Sequence, residues 1–441
     1  MKNKKFFIET YGCQMNFSDS EIVASILEEE GFNSTKDIRD ADMIFINTCS
    51  IRDHAEQRIR KRLKYMQSLK KKNPRLVIGM LGCMAERLKT QLLEEEQMLD
   101  LIAGPDSYRD LPRLVAEVES GKKAVNTLLS IDETYANISP VRYDSNGISA
   151  FISIMRGCEN FCAYCVVPYV RGQERSRDAA SITQEAEDLF HKGFREVTLL
   201  GQNVNSYHWT WDGKGTGFAE LLEKVARINP LLRIRFATSH PKDLSDELLQ
   251  IIARYNNICK SIHLPVQSGS TRILDHMNRG YTHDQYLERI AAIRSFLPGC
   301  VISTDIIAGF CDETEEDHKK TLSLMEQVGF DYAFMFRYSE RPDTLAADRY
   351  RDNVPPEVKD RRLREIIDLQ QKLSYQSNKK DVGKTFEVLI EGFSKRSDAF
   401  FSGRNSQNKV VVFPITGNHP GDYVTVKINR FTSATLIGEA S

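Results

Sequence analysis

Three times before residue 84 an apolar, β-prone stretch runs into a small or polar residue and then a cysteine: KKFFIETYGC, DMIFINTC and RLVIGMLGC. Helical patterns follow at Ser18 to Glu30, Ala55 to Lys72 and Glu86 to Met98. LDLIAGP (99–105) reads as a fourth strand and Asp110 to Gly121 as a closing helix. Strands alternating with helices commit a chain to a parallel sheet, because parallel neighbours need a crossover of a dozen or more residues. In such sheets ligands sit at the carboxyl ends of the strands, which is where all three cysteines fall. Cys13, Cys49 and Cys83 are 36 and 34 residues apart, about one βα repeat each, so neighbouring strands could bring their thiolates to one sheet edge. Three ligands without a fourth is the pattern of an iron–sulfur site with one metal position open. The alternative is three cysteines in the small-residue turns of an ordinary α/β domain.

This stretch is read as an N-terminal parallel-sheet α/β domain over residues 1–125, and the turn-rich, aperiodic residues 126–149 as a linker. From 150 to 375 the alternation resumes. AFISIMRGC, EVTLLGQN, RIRFATSH, KSIHLPV, VISTDIIAGF and YAFMFRYS are the strands, and Ile182–Lys192, Phe218–Ile228, Leu244–Tyr255, Thr282–Phe296 and Thr314–Val328 the helices between them. Six such units predict a partial (β/α)6 barrel with its chemistry at the strand carboxyl ends. On that face Asn203 to Gly217, carrying Trp209 and Trp211, is a long loop of the kind that contacts or covers a substrate. After Pro355-Pro356 comes a charged helix, Lys359 to about Lys380, and residues 376–441 then break into short strands with turn signals, a small all-β barrel.

With 41% hydrophobic residues the 441-residue chain can bury sizeable cores, which excludes disorder. Lys and Arg number 60 against 61 Asp and Glu, so nucleic-acid binding must come from local patches. Residues 376–441 supply one: nine Lys or Arg against six Asp or Glu, with Phe393, Phe400, Phe401 and Phe413 interleaved. Arg58 to Lys72 is a second basic stretch. The N-terminal residues form no secretory core and no apolar run reaches the length of a membrane span, so a cytoplasmic chain with no membrane contact is expected. In a reducing compartment its nine cysteines are thiols, metal ligands or nucleophiles before they are disulfides.

RGCENFCAYC places Cys158, Cys162 and Cys165 as CxxxCxxC in the loop after the first barrel strand. Thiolates this close together suit three irons of a 4Fe–4S cube with the fourth iron open. Structural zinc would want a fourth protein ligand, and no nearby Cys or His supplies it.

This motif, with Tyr164 before its third cysteine, resembles the radical S-adenosylmethionine enzymes. TYGCQMN, NTCSIRDHAEQR and LGCMAER resemble the N-terminal domain of the methylthiotransferases. HLPVQSGS, MNRGYT and STDIIAGF resemble their radical domain, and the C-terminal strands resemble the TRAM RNA-binding domain. NTCSIR followed by HAEQR is most similar to the tRNA branch that makes 2-methylthio-N6-isopentenyladenosine next to the anticodon.

The resemblance implies two 4Fe–4S clusters and S-adenosylmethionine as methyl donor and radical source. Cys158, Cys162 and Cys165 would hold the radical cluster, and Cys13, Cys49 and Cys83 an auxiliary cluster carrying the sulfur to be transferred. Its partners would be a tRNA anticodon stem-loop bearing isopentenyladenosine, a low-potential electron donor and the iron–sulfur assembly machinery. Nothing in the chain demands more than a monomer. At the strand ends Tyr164, Gly201, Gln202, Asn203, Ser239, His240 and Gln267 to Gly269 are placed to receive the methionine or ribose of the cofactor or to bond their own loops. Arg279 and Arg337 read as solvated arginines or carboxylate partners, Cys259 and Cys300 as buried thiols. Cys311 departs from the proline usual in the family and reads as a tolerated substitution in a strand-end turn rather than a thiol serving the active face. Competing readings are the sibling enzymes acting on threonylcarbamoyl-adenosine or a ribosomal aspartate, and a non-catalytic iron–sulfur RNA-binding protein.

Overall fold

The computed structural model describes residues 4–49, 53–143 and 145–440, and the chain divides into two compact units. Residues 50–52 of the NTCSIR motif lie outside the described residues.

The first unit begins with β1 (Lys5–Tyr11), α1 (Gln14–Glu29), β2 (Asn33–Ser34), β3 (Met43–Thr48), α2 (Asp53–Lys72), β4 (Val77–Gly82), α3 (Cys83–Glu95), β5 (Leu101–Ala103), α4 (Leu111–Glu119) and β6 (Ala124–Asn126). The strands form one parallel sheet in the order β2-β1-β3-β4-β5-β6. Successive side chains of a strand point to opposite faces. Phe6, Ile8, Met43 and Phe45 accordingly pack with α1 and α4, while Phe7, Ile44 and Ile46 pack with α2 and α3. Both faces are covered, as parallel sheets require, which is why these strands read as continuous apolar runs. A fully buried side chain such as Leu27 contributes about 1.5–3 kcal/mol relative to exposure.

The helix expected from Ser18 starts four residues earlier, because Cys13 occupies the N-cap position of α1. Gly31, at φ 85°, lets the chain turn back at its other end, where the amide of Phe32 donates to the Leu27 carbonyl. In α3, Lys89 at φ 47° kinks the element into two short helical segments. The segment 126–149, read as a linker, carries Tyr135 and Ile138 buried in the core beside α1 and α4. Lack of periodicity marked it as irregular, and irregular chain can still bury side chains.

Next in sequence are β7 (Ser149–Ser153), β8 (Met155–Arg156), α5 (Val167–Arg171) and β9 (Arg175–Ser176). β7 belongs to the second unit. Residues 155–161 and 165–177 belong to the first, where β8 and β9 form a short antiparallel pair.

The second unit continues through α6 (Ala179–His191), β10 (Glu196–Leu200), β11 (His208–Trp211), β12 (Lys214–Gly217), α7 (Phe218–Ala226), β13 (Arg233–Ala237), α8 (Asp246–Arg254), β14 (Ser261–His263), α9 (Thr271–His276), α10 (His283–Phe296), β15 (Val301–Ala308), α11 (Glu315–Val328), β16 (Tyr332–Arg337), α12 (Leu345–Arg349) and α13 (Pro356–Lys379). The six expected barrel strands form two parallel three-stranded sheets, β13-β10-β7 and β14-β15-β16. A parallel bridge between Ile234 and Ile258 joins the halves into a partial barrel. The capping boxes at Thr282 and Thr314 fix the starts of α10 and α11.

The last five strands, β17 (Thr385–Ser394), β18 (Ser397–Asn405), β19 (Val410–Pro414), β20 (Tyr423–Phe431) and β21 (Leu436–Ala440), close into a barrel. Closure leaves no open sheet edge. Phe401 and Phe413 fill its core, whereas Phe393 is exposed. Arg233 and Arg235 of β13 donate to the carbonyls of Arg404 and Asn405 at 2.6 and 3.0 Å, tying this barrel to the strands of the larger one. Among the described residues no helix is long and apolar enough to cross a membrane.

Candidate functional site: cysteines at the strand ends

Tyr11 pairs with Thr48, and Thr48 with Gly82, so β1, β3 and β4 end level with one another. The cysteines that follow, Cys13, Cys49 and Cys83, therefore leave the sheet at the same edge. Two glycines make the approach possible. A Cβ on Gly12 would stand 2.5 Å from that of Cys49, and one on Gly82 would stand 2.7 Å from the Thr48 carbonyl. Both residues also have positive φ, 126° and 87°, which glycine adopts without strain. Behind the thiols, Asn16 and Asn47 are fully buried and bond each other. Asn47 also reaches Ser20, and the Cys13 thiol donates to Asn16 Oδ1 at 3.2 Å.

Cys13 caps α1 and Cys83 opens α3, so both sulfurs lie at helix N-termini, whose partial positive charge favours anions. A hydrogen bond with Cys49 draws the Cys13 pKa down to about 6, toward the thiolate, the form that ligates metal. Burial pushes the Cys83 thiol up. Its sulfur accepts from Arg171 Nε at 3.3 Å and packs against Val166 and Val170.

Arg171 also pairs with the fully buried Asp19 at 2.7 Å, and Arg156 takes the other carboxylate oxygen. Burial opposes charge on Asp19, and the two guanidinium groups outweigh it, holding the carboxyl below its usual range. Arg156 lies over the Tyr135 ring, and Arg175 pairs with the buried Asp106. Residues 155–161 and 165–177 are thus locked to the cysteine edge by charge pairs that the sequence reading missed. The available signals were Asp19 at helical spacing among apolar Ile22, Val23 and Ile26, and Arg156 at the end of an apolar strand.

In the CxxxCxxC loop, Cys158 accepts from Asn160 Nδ2 at 3.5 Å and Cys165 from the Val167 amide at 3.4 Å, both within the first unit. Cys162 belongs to the second unit, where Arg279 donates to its sulfur at 3.2 Å and to the Tyr164 hydroxyl at 3.4 Å. Arg279, expected to be solvated or paired with a carboxylate, is buried; its other donors go to Tyr281 and the Pro265 carbonyl. Arg337 does pair with an exposed carboxylate, Asp360. Among the described residues no group of three or more His, Cys, Asp or Glu side chains is arranged to hold a metal ion.

The strand ends of the second unit carry buried polar atoms without partners: Gln202 Oε1, Asn203 Oδ1, Ser239 Oγ, His240 Nε2 and Gln267 Oε1. Leaving such atoms unpaired costs about 1–3 kcal/mol each, so their concentration at one end of three strands fits a polar ligand. Asn203 is held by Nδ2 to Asp243, and the Val204 amide bonds the Thr238 carbonyl. Thr238 and Gln267 stand at φ 74° and 71°, conformations that cost about 1–3 kcal/mol and cluster at functional sites. Burial, with Arg279 nearby, pushes His240 down to about 2, so its imidazole is neutral, and it packs edge-on against Tyr281. Gly201 is buried just after β10.

Cys311 is fully buried in an apolar cluster with Phe310 and Tyr338, and burial pushes its thiol up. Cys259 and Cys300 are buried just before β14 and β15; burial pushes Cys300 to about 12.

Residues 5–104 match the uncharacterized protein family UPF0004, residues 152–325 the radical SAM superfamily and residues 379–441 the TRAM domain. The chain is 59% identical to the tRNA-2-methylthio-N(6)-dimethylallyladenosine synthase of Amoebophilus asiaticus (strain 5a2), covering 99% of this chain and 92% of that relative. It is also 59% identical to the protein of that name from Parabacteroides distasonis (strain ATCC 8503), covering 99% and 95%. Among solved structures, the radical S-adenosylmethionine methyltransferase TsrM from Kitasatospora setae superposes with TM-score 0.58 at 14% identity, over 79% of this chain and 77% of that one. The cobalamin-dependent enzyme OxsB does so with TM-score 0.56 at 14% identity, over 84% and 56%; these two likenesses speak to the fold alone. Radical SAM membership implies S-adenosylmethionine and a 4Fe–4S cluster as cofactors. The chain therefore belongs to the radical S-adenosylmethionine methylthiotransferase family, in the branch of the tRNA-2-methylthio-N(6)-dimethylallyladenosine synthases.

Proposed function

We propose that this enzyme converts N6-isopentenyladenosine next to the anticodon of a cytoplasmic tRNA to its 2-methylthio derivative, using two 4Fe–4S clusters. The observation that carries the reading is the level ending of β1, β3 and β4, which sets Cys13, Cys49 and Cys83 on one sheet edge in a chain that also carries CxxxCxxC. A second triad gives the chain room for a second iron–sulfur cluster, which sulfur transfer would use. The donor set fits: thiols at helix N-termini, one of them already inclined to ionise, with Arg171 beside another to balance negative charge.

Cys158, Cys162 and Cys165 would hold the radical cluster, and Cys13, Cys49 and Cys83 the auxiliary one. When bound, these clusters and S-adenosylmethionine supply the radical that activates adenine C2, the sulfur and its methyl group. The chain's own residues bind and orient. Arg279 fixes Cys162 and Tyr164 in one geometry. The unpartnered atoms of Gln202, Asn203, Ser239 and Gln267 are available to the polar groups of S-adenosylmethionine. His240 Nδ1 accepts from the Lys242 amide, so the neutral ring carries its proton on Nε2 and can donate one hydrogen bond without adding charge. The terminal barrel offers Lys395 and Arg396, next to exposed Phe393, for RNA contact. Turnover needs a low-potential electron donor, and assembly needs the iron–sulfur machinery.

The test is anaerobic reconstitution with iron and sulfide, followed by S-adenosylmethionine, a strong reductant and an isopentenyladenosine-containing anticodon stem-loop. Mass spectrometry of the nucleosides is expected to show a methylthio gain on that adenosine and none on unprenylated RNA. Deoxyadenosine without a modified nucleoside would move the substrate to a sibling branch.

A further inference from the structure

The stretch from Asn203 to Gly217, singled out as a loop, holds a hairpin of β11 and β12 beyond the carboxyl end of β10. Asp212 and Gly213 form its two-residue tip, both at positive φ, 48° and 73°, as the tightest hairpin turn requires. Its base is anchored: Tyr207 and Thr216 are buried, and Phe218 enters the core at the start of α7. On one face the His208 ring lies over Gly215, where a Cβ would come within 2.6 Å of it. The other face presents Trp209 and Trp211, two residues apart on one strand, with rings 6.2 Å apart and 7° from parallel. Lys214 sits opposite Trp211 on that face. Trp209 is half-buried, but Trp211 is 71% exposed.

An indole held out in water by a hairpin anchored at its base marks an interaction site. Parallel π-faces beside an ammonium group suit a flat heterocycle on a polyanionic backbone. We propose that this hairpin binds an unpaired base of the RNA loop, stacked on Trp211, with Lys214 meeting an adjacent phosphate. The proposal rests on the tRNA reading above. The captured base would be a neighbour of the reacting adenosine, since the hairpin follows the carboxyl end of β10, where Gln202 and Asn203 lie.

The chain has two tryptophans, both on this hairpin, so its indole fluorescence reports on nothing else. The full-length reconstituted protein is titrated with a labelled anticodon stem-loop, recording RNA anisotropy and tryptophan emission together. Emission is expected to be quenched with the midpoint of the anisotropy curve, and a blunt duplex of similar length should quench little. Trp211→Ala should weaken stem-loop binding about tenfold, the scale of one lost stacking contact, and Trp211→Phe should recover part of it. The thermal transition of Trp211→Ala should match the parent, since the side chain is exposed. RNA binding with unchanged emission, or equal affinity in Trp211→Ala, overturns the hairpin proposal and leaves the tRNA reading intact. An emission change that follows protein concentration without RNA would assign the face to a second copy and also overturn it. Absence of any anisotropy change would overturn both.

Discussion

Arg279 donates from Nη1 to the sulfur of Cys162 at 3.2 Å, and the same nitrogen reaches the Tyr164 hydroxyl. One guanidinium, anchored by Tyr281 and the Pro265 carbonyl, thus sets the position of a cysteine and the aromatic residue two places on. Hydrogen bonds from a charged donor are worth about 1.5–3 kcal/mol. Arg279→Leu should therefore slow reductive cleavage of S-adenosylmethionine by about tenfold or more, with stem-loop affinity within about twofold of the parent. Deoxyadenosine yield and RNA anisotropy, measured on protein of matched iron content, check this.

Asp19 serves two guanidinium groups, Arg156 and Arg171, deep in the first unit. Removing one partner of a buried ion pair costs about 3–5 kcal/mol, because the other charge stays buried. Asp19→Asn is expected to lower the unfolding free energy, extrapolated from urea titration, by an amount in that range. It should also reduce iron uptake at the first triad, since Arg171 would lose the carboxylate that steers it to Cys83. Denaturation of the metal-free protein separates the two effects.

The Glu86 side chain is buried in the first unit with Oε2 unpartnered, in the space a Cβ on Gly104 would occupy. Burial raises its pKa from 4.5 to about 7. The folded state therefore holds this proton more tightly than the unfolded one. The associated stability is complete below about pH 4.5 and is lost as pH rises to about 7. The loss at pH 8 is about 3 kcal/mol. Glu86→Gln should thus be more stable than the parent at pH 8 by up to about that amount, with the advantage shrinking at pH 5. Parallel urea titrations of the metal-free proteins at the two pH values measure it.

Lys395 and Arg396 form the exposed turn between β17 and β18, beside Phe393. If they contact phosphate, replacing either with Ala should weaken binding evenly across RNA sequences and reduce the salt slope by about one. Binding isotherms at several salt concentrations supply the slope.

The parallel strands were legible because residues such as Ile44 to Ile46 are apolar on both faces, and the 36- and 34-residue spacing of the cysteines anticipated their shared edge. What fixes that edge was legible only as isolated charges in apolar surroundings, Asp19 and Arg156; their pairing was not, because a charge pair between distant residues has no period to betray it. Arg279 was read as solvated or carboxylate-paired since most arginines are exposed; only the three-dimensional approach of MNRGYT to Cys162 reverses that. The short strands β2 and β6 were missed, since two or three residues give no alternation to detect. The hairpin of Trp209 and Trp211 passed for a loop because its Asp-Gly turn sits between four-residue strands, one of them glycine-rich.

The central claim is that the two cysteine triads divide the chemistry. It is tested by replacing Cys13, Cys49 and Cys83 together with Ala and measuring deoxyadenosine and methylthio-nucleoside in one reaction with the isopentenyladenosine stem-loop. The account predicts deoxyadenosine without methylthiolation, and neither product from the matching variant of Cys158, Cys162 and Cys165. Methylthiolated RNA from the first variant would contradict it.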